Sequence, residues 1–404
     1  MAQRGRLGPA ARVLGILTVM LSAFAVASCQ SAPRGASIDA NADQRWIGAV
    51  PVDDPTPPTK ITIAPADNTV NVPLDAVVKV TASGGTLTKV DMTQTGGSRV
   101  TGGLTARKVA WASTSSLAPD TVYRVAATAV NAEGESSRVV QTFSTMQPSK
   151  ELTAEILPGQ GSAVGVGEPI DLRFNEPVKN KAGVERRLAV ETSKPVEGAW
   201  HWFGDKNVRY RPKTYWPAHT NVTVKVNLRG ARSGSGSWGL KDQVRRFSIT
   251  NSVITKVDLG DHHARTYIDG KLARTIPVTG GKAGWRTRNG IKVVLAKETD
   301  KVFTNEMIGA AESYRLTSKW AIRVTLSGEF LHTASWSTGS QGSANVSHGC
   351  VGMNTADSDW LYHVTHVGDP VEVKSPDAPQ MEASNGYGDW NFTWDKWKAG
   401  SALK

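Results

Sequence analysis

The chain has 404 residues, of which 39% are apolar and 21% charged, and its formal charge is +11. That apolar fraction suffices for packed cores and excludes a disordered chain, while the length suits about two to four domains. Two cysteines exclude a disulfide-rich scaffold and any CxxC-based zinc finger. One long apolar stretch, at the N-terminus, excludes a multi-span membrane protein.

Arg4, Arg6 and Arg12 make a basic start without an acid, and Val13 to Val26 is almost wholly apolar. This is the layout of a secretory signal, and it is short for a spanning helix. The segment ends Val26-Ala27-Ser28-Cys29, which resembles a bacterial lipobox. Residues 1–28 are therefore expected to be a lipoprotein signal peptide. Cys29 becomes the lipidated first residue, which holds the protein to the outer face of the membrane. Plain secretion, with Cys29 an ordinary thiol, is the alternative. Residues 29–59 carry Ser, Asp and Pro and read as a linker.

From Ile61 to about Thr250, short β-rich runs such as Val122-Tyr123-Arg124-Val125 alternate with Gly, Asn, Pro and Asp turns. This predicts antiparallel sandwiches. A repeat is visible. Trp111 leads to Leu117-Ala118-Pro119-Asp120-Thr121, and Tyr210 leads to Trp216-Pro217-Ala218-His219-Thr220. The copies end on Phe143-Ser144 and Phe247-Ser248. Their offset of about 100 residues is the size of one immunoglobulin-like domain, so modules are expected over 60–147 and 148–250. Between Lys206 and Arg246 stand ten Lys/Arg and one acid, Asp242. The default reading is a solvated face. The functional one is attraction to anionic wall polymers. No nucleic-acid motif accompanies these charges.

The chemistry is expected between His332 and Asn354. Cys350 lies in Ser347-His348-Gly349-Cys350-Val351-Gly352-Met353-Asn354, 18 residues after His332 and beyond a small polar loop. A thiol becomes a strong nucleophile as a thiolate, and a neighbouring imidazole can provide for that. Gly349 allows a sharp turn before the nucleophile, and its N–H and that of Cys350 are candidate oxyanion donors. Two alternatives compete. Cys350 can be a buried structural thiol, or His332, His348 and Cys350 can bind zinc, with His363 or His366. The latter two fall in an amphipathic helix from about Thr355 and are expected to face solvent.

His332, an intervening Ser/Gly loop and then Ser347-His348-Gly349-Cys350 resemble the signature of L,D-transpeptidases with a YkuD-type domain, over about 125 residues from Val253 to Lys374. The order of lipobox, two immunoglobulin-like domains, catalytic domain and Trp-rich tail resembles the actinobacterial lipoprotein enzymes of this family. The implied fold is mainly β: two sandwiches, then a mostly β catalytic domain over 251–375 with a short helix, and an extension over 376–404. The implied substrate is peptidoglycan. A tetrapeptide stem is attacked at the carbonyl before its terminal D-Ala, and the thioester passes to an amine of a neighbouring stem as a 3→3 crosslink. Carbapenems and other β-lactams are the implied covalent inhibitors, and no cofactor is implied. Mapped here, Cys350 is nucleophile and His332 general base and acid. His348 and Gly349 shape the pocket, Ser347 supports the loop, Tyr314 is a lid tyrosine, and the Thr333 carbonyl orients His332. The usual Asn or Arg two residues after the Cys is here Gly352, and the nearest amide is Asn354. Asn354 is expected either to support the pocket or to cap the following helix. A proline-containing Thr-Pro-Asn-Gly-like turn is here Arg286-Thr287-Arg288-Asn289-Gly290. An L,D-carboxypeptidase with the same acyl-enzyme and a non-catalytic wall-binding protein are the other readings.

Trp390, Trp394 and Trp397 are spaced as one face of a short helix, which is expected to pack on the catalytic domain or its junction with the second module.

Overall fold

The computed structural model describes residues 57–403; the signal segment, Cys29 and most of the linker lie outside the described residues. Eight strands between Lys60 and Thr145 form two four-stranded sheets, and eight more between Ala154 and Ile249 form another two. The two sandwiches are built alike. Trp111, Leu117 and Phe143 are buried in the first core, and Tyr210, Trp216 and Phe247 in the second. The turn residues Asp120 and His219 both have positive φ, 44° and 58°. In each sandwich a short strand pairs parallel to the closing strand, Thr69 opposite Phe143 and Ala163 opposite Ser248. The repeat seen in the sequence is thus a repeat of backbone turns as well as of core side chains.

In the C-terminal part the strands are β1 (Val253–Asp258), β2 (His263–Ile268), β3 (Lys271–Pro277), β4 (Gly290–Val293), β5 (Ala296–Thr304), β6 (Arg315–Arg323), β7 (Phe330–Thr333), β8 (Val351–Met353) and β9 (Pro370–Lys374). One sheet runs β3-β2-β1-β9-β4 and the other β5-β6-β7-β8. Val257, Ile276, Ile322, Leu331, Val351, Met353 and Val371 share the core with Leu361 of helix α1 (Thr355–Val364). The Asn354 side chain starts α1 by accepting from the Asp357 N–H at 2.9 Å, with Asp357 itself favourable in the first turn.

The tail departs from the single helix expected. Trp390 lies in a 3-10 turn (Asp389–Asn391), Thr393 starts a new turn, and helix α2 spans Trp394–Ala399. The three tryptophans still converge, because the Arg211 guanidinium lies 4.8, 5.4 and 4.8 Å from the rings of Trp390, Trp394 and Trp397. Trp397 is wholly buried and donates to the Ala199 carbonyl. Asn391 pairs both backbone groups of Ile291 on edge strand β4. The tail therefore ties the second sandwich to the sheet that holds β4. Arg209 also turns inward, donating to Asp389 at 2.9 Å, so the basic run from 206 to 246 is not one solvated face.

Candidate active site

Strand β7 alternates. Leu331 points into the core, whereas Phe330 and His332 face a cavity of about 360 Å³. Strand β8 runs parallel to β7 with His332 opposite Gly352. Cys350 precedes Gly352 by two residues and so shares its face. Strand spacing and rise then separate the Cα atoms of Cys350 and His332 by about 8 Å, a gap that a thiol and an imidazole span. Both side chains line the cavity, with Phe303, Tyr314 and Trp336. The loop between them is tied down by Asn345, whose side chain binds the Gly280 N–H and the Leu259 carbonyl.

His332 is 6% exposed, and its Nδ1 lies 2.8 Å from the Thr333 carbonyl. That contact puts the proton on Nδ1 and leaves the Nε2 lone pair free to act as a base. Burial lowers the imidazole pKa to about 4, outweighing the carbonyl contact, which raises it. Burial likewise pushes the Cys350 thiol up to about 12, against the lowering effect of the Phe330 N–H facing the sulfur. The residue keeps partial solvent access. The resting pair is thus a neutral thiol and a neutral imidazole, not a preformed thiolate. The thiol proton points at the Gly328 carbonyl, with Sγ to O at 3.6 Å.

Gly349 has φ of +117°, a region suited to glycine. The Ser347 hydroxyl accepts from its N–H at 3.1 Å and donates to the Cys350 carbonyl at 2.6 Å. One serine side chain therefore staples the turn that presents the sulfur. The Tyr314 ring stacks on His348, with centroids 5.5 Å apart. His348 Nε2 lies 3.1 Å from Glu312, whose other oxygen accepts from Lys282 at 2.7 Å. The Lys282 hydrogen bond, before a backbone contact and His348, holds the Glu312 carboxyl down to about 2. The segment from Asn305 to Tyr314, of which Met307, Ile308 and Tyr314 line the cavity, is in this way tied to Lys282 and His348.

Residues 252–373 match the L,D-transpeptidase catalytic domain, and residues 69–232, running from the first sandwich into the second, match a bacterial Ig domain. L,D-transpeptidase 2 of Mycobacterium tuberculosis (strain CDC 1551 / Oshkosh) is 34% identical over 85% of this chain and 85% of its own. The chain belongs to the L,D-transpeptidase family. L,D-transpeptidase 5 of M. tuberculosis (strain ATCC 25618 / H37Rv) is 33% identical over 86% of this chain and 78% of its own. The solved structure of the LD transpeptidase LdtMt1 in complex with imipenem is 32% identical, covers 56% of this chain and all of that one, and superposes with a TM-score of 0.49.

The L,D-transpeptidase site departs from the sequence reading at several residues. The Gly349 N–H is taken by Ser347 and is not a free oxyanion donor. Asn354 is not among the cavity-lining residues; its side chain is used at both ends on Asp357 as the helix cap. Thr333 contributes its carbonyl, while its hydroxyl turns to Ser358 of α1 at 2.6 Å. His363 binds the Asp359 carbonyl and His366 binds Asp369, beyond the end of α1, and neither lines the cavity. Two further residues in or beside the L,D-transpeptidase site had no sequence signal. Phe303 packs on the His332 ring at 4.8 Å, and buried Lys292 lies 2.6 Å from Glu329. A lone lysine in an apolar strand reads as outward-facing, and Lys292 is not.

Proposed function

We propose that this L,D-transpeptidase forms 3→3 peptidoglycan crosslinks through a thioester on Cys350. The observation that carries the reading is the opening of Cys350 and His332 onto one cavity, with Nδ1 of His332 committed to the Thr333 carbonyl. The Cys350 sulfur attacks the carbonyl carbon between the L-centre of the third stem residue and the terminal D-Ala, while His332 Nε2 takes the thiol proton. Because both groups rest uncharged, proton transfer accompanies attack. The C–N bond breaks and the imidazolium returns its proton to the departing D-Ala amine. The side-chain amine of a second stem then attacks the thioester, passes a proton to Nε2, and the C–S bond breaks with reprotonation of the sulfur. The Tyr314 phenol lines the same cavity, and burial raises its pKa, so it stays protonated as a hydrogen-bond donor. It is a donor for the developing oxyanion. His348, Gly349 and Ser347 shape and hold the turn.

A covalent β-lactam adduct on Cys350 follows from the same chemistry. Intact-protein mass spectrometry after incubation with a tetrapeptide stem and, separately, with imipenem tests the reading. The expected result is a thioester mass lacking D-Ala and an imipenem adduct, both absent from Cys350→Ala. Crosslinked dimers made by Cys350→Ala would overturn it.

The enzyme is proposed to work outside the cytoplasm, anchored by a lipid on Cys29, with exposed lysines and arginines of the second sandwich meeting anionic wall polymers. Cys29→Ser is expected to move the protein from the detergent phase to the aqueous phase. Identical partitioning of both forms would refute the anchor.

A further inference from the structure

Directly behind the nucleophile lies an ionic cluster that the acyl-transfer chemistry does not use. The Lys292 side chain has no exposure, and its Nζ sits 2.6 Å from Glu329 Oε2. The other oxygen, Oε1, accepts from the Arg288 backbone N–H at 3.0 Å and from its guanidinium at 3.2 Å.

Glu329 is placed to act on the sulfur through its two neighbours. On one side is Gly328, whose carbonyl lies 3.6 Å from Cys350 Sγ. On the other is Phe330, whose N–H faces that sulfur. Glu329 itself is tied at its N–H to Thr325 Oγ1, at 2.8 Å, and at its carbonyl to the Val324 N–H. A Cβ placed on Gly349, the residue before the nucleophile, would lie 4.0 Å from Glu329 Oε1. The carboxylate thus packs against the nucleophile turn while its ion pairs hold it to β4 and to the 286–290 turn. A buried ion pair is a poor device for stability alone, since apolar residues of similar volume commonly serve as well.

We propose that the Lys292–Glu329 pair, braced by Arg288, positions the nucleophile by fixing the Gly328–Phe330 segment against the Cys350 sulfur. The inference rests on Cys350 being the nucleophile. Lys292 and Glu329 are positioning residues. Neither touches substrate, and they bring opposite charges to the thiol, the lysine favouring the thiolate and the glutamate opposing it.

The test uses the soluble protein with Glu329→Gln, Lys292→Met and the double variant Lys292→Met/Glu329→Leu. Three quantities are read: melting temperature, imipenem acylation rate with the adduct mapped by peptide mass spectrometry, and the pH dependence of alkylation by iodoacetamide. The double variant is expected to keep the parental melting temperature but to acylate about ten- to a hundredfold more slowly, as for a misplaced nucleophile. Alkylation should shift to lower pH in Glu329→Gln and to higher pH in Lys292→Met, a pair of opposite shifts that a purely structural role would not produce. A double variant that acylates at the parental rate would overturn the proposal. So would single variants with unshifted alkylation profiles, which also decide the matter if the double variant does not fold. An adduct on a residue other than Cys350 in the unaltered protein would instead remove the nucleophile assignment, and this inference with it.

Discussion

Cys350 and His332 are held uncharged by the same cause, a dry cavity wall that penalises both thiolate and imidazolium. His332 has its folded pKa lowered from 6.5 to about 4, so it is a competent base above that value and loses this role only as pH falls through it. The acid limb of kcat/KM for β-lactam acylation should therefore have its midpoint nearer 4 than 6.5, and a midpoint at 6.5 would contradict the buried, neutral imidazole. The unfolded chain takes up this proton first, so folding stability declines as pH drops below about 6.5. His332→Ala should lower acylation about 10²–10⁴-fold, the usual worth of general acid–base help. Gly352 is fixed by space. A Cβ there would meet Ala334 Cβ at 2.8 Å and Thr279 Cγ2 at 3.1 Å. Gly352→Asn should cost roughly 1–3 kcal/mol through overpacking, read as a lowered denaturation midpoint. Asn354→Ala should cost about 1 kcal/mol of stability through the lost cap while leaving acylation per folded molecule unchanged. A slowed acylation step would return Asn354 to the site.

At the scale of elements, the site is a junction of two strands and two latches. Strands β7 and β8 pair in parallel, so their connection must leave the sheet and return, and that excursion is the loop stapled by Asn345. The lid segment is latched by Glu312 between Lys282 and His348. The Lys282 contact is lost on the acid side only as pH falls into the lowered range of Glu312, where the carboxylate protonates. Glu312→Gln should loosen this latch and lower kcat/KM for a tetrapeptide donor, because the segment it holds carries Tyr314. Steady-state kinetics check this, and a variant with unchanged kcat/KM would count against the latch.

Across the whole molecule, the C-terminal segment behaves as a strap whose buckle is Arg211. This side chain is 2% exposed, lies over three indole rings and donates to the Phe392 carbonyl. Burial lowers its pKa to about 10, so the guanidinium stays charged among the rings under ordinary conditions. Cation–π contacts of roughly 0.5–2 kcal/mol each predict that Arg211→Leu loses about 2–4 kcal/mol of stability. The check is denaturant unfolding together with limited proteolysis, which should open the chain after residue 376. A protease-resistant tail in the variant would show that Asn391 and Trp397 suffice to hold it.

The sequence by itself determined the β class, the repeated sandwiches and the Cys350–His332 pair, because alternation, turn residues and a short motif act over neighbouring positions. The same locality offered the helix cap as one of two readings of Asn354, and the contacts of Asp357 decided for it. Tertiary structure decided what depends on residues distant in the chain: Lys292 against Glu329, Arg211 among the tryptophans, and Ala334 and Thr279 filling the space beside Gly352. It also decided the charge state of Cys350 and His332. A spacing of 18 residues can bring a thiol and an imidazole together, but whether they meet as ions or as neutral groups is set by how much water the fold leaves beside them.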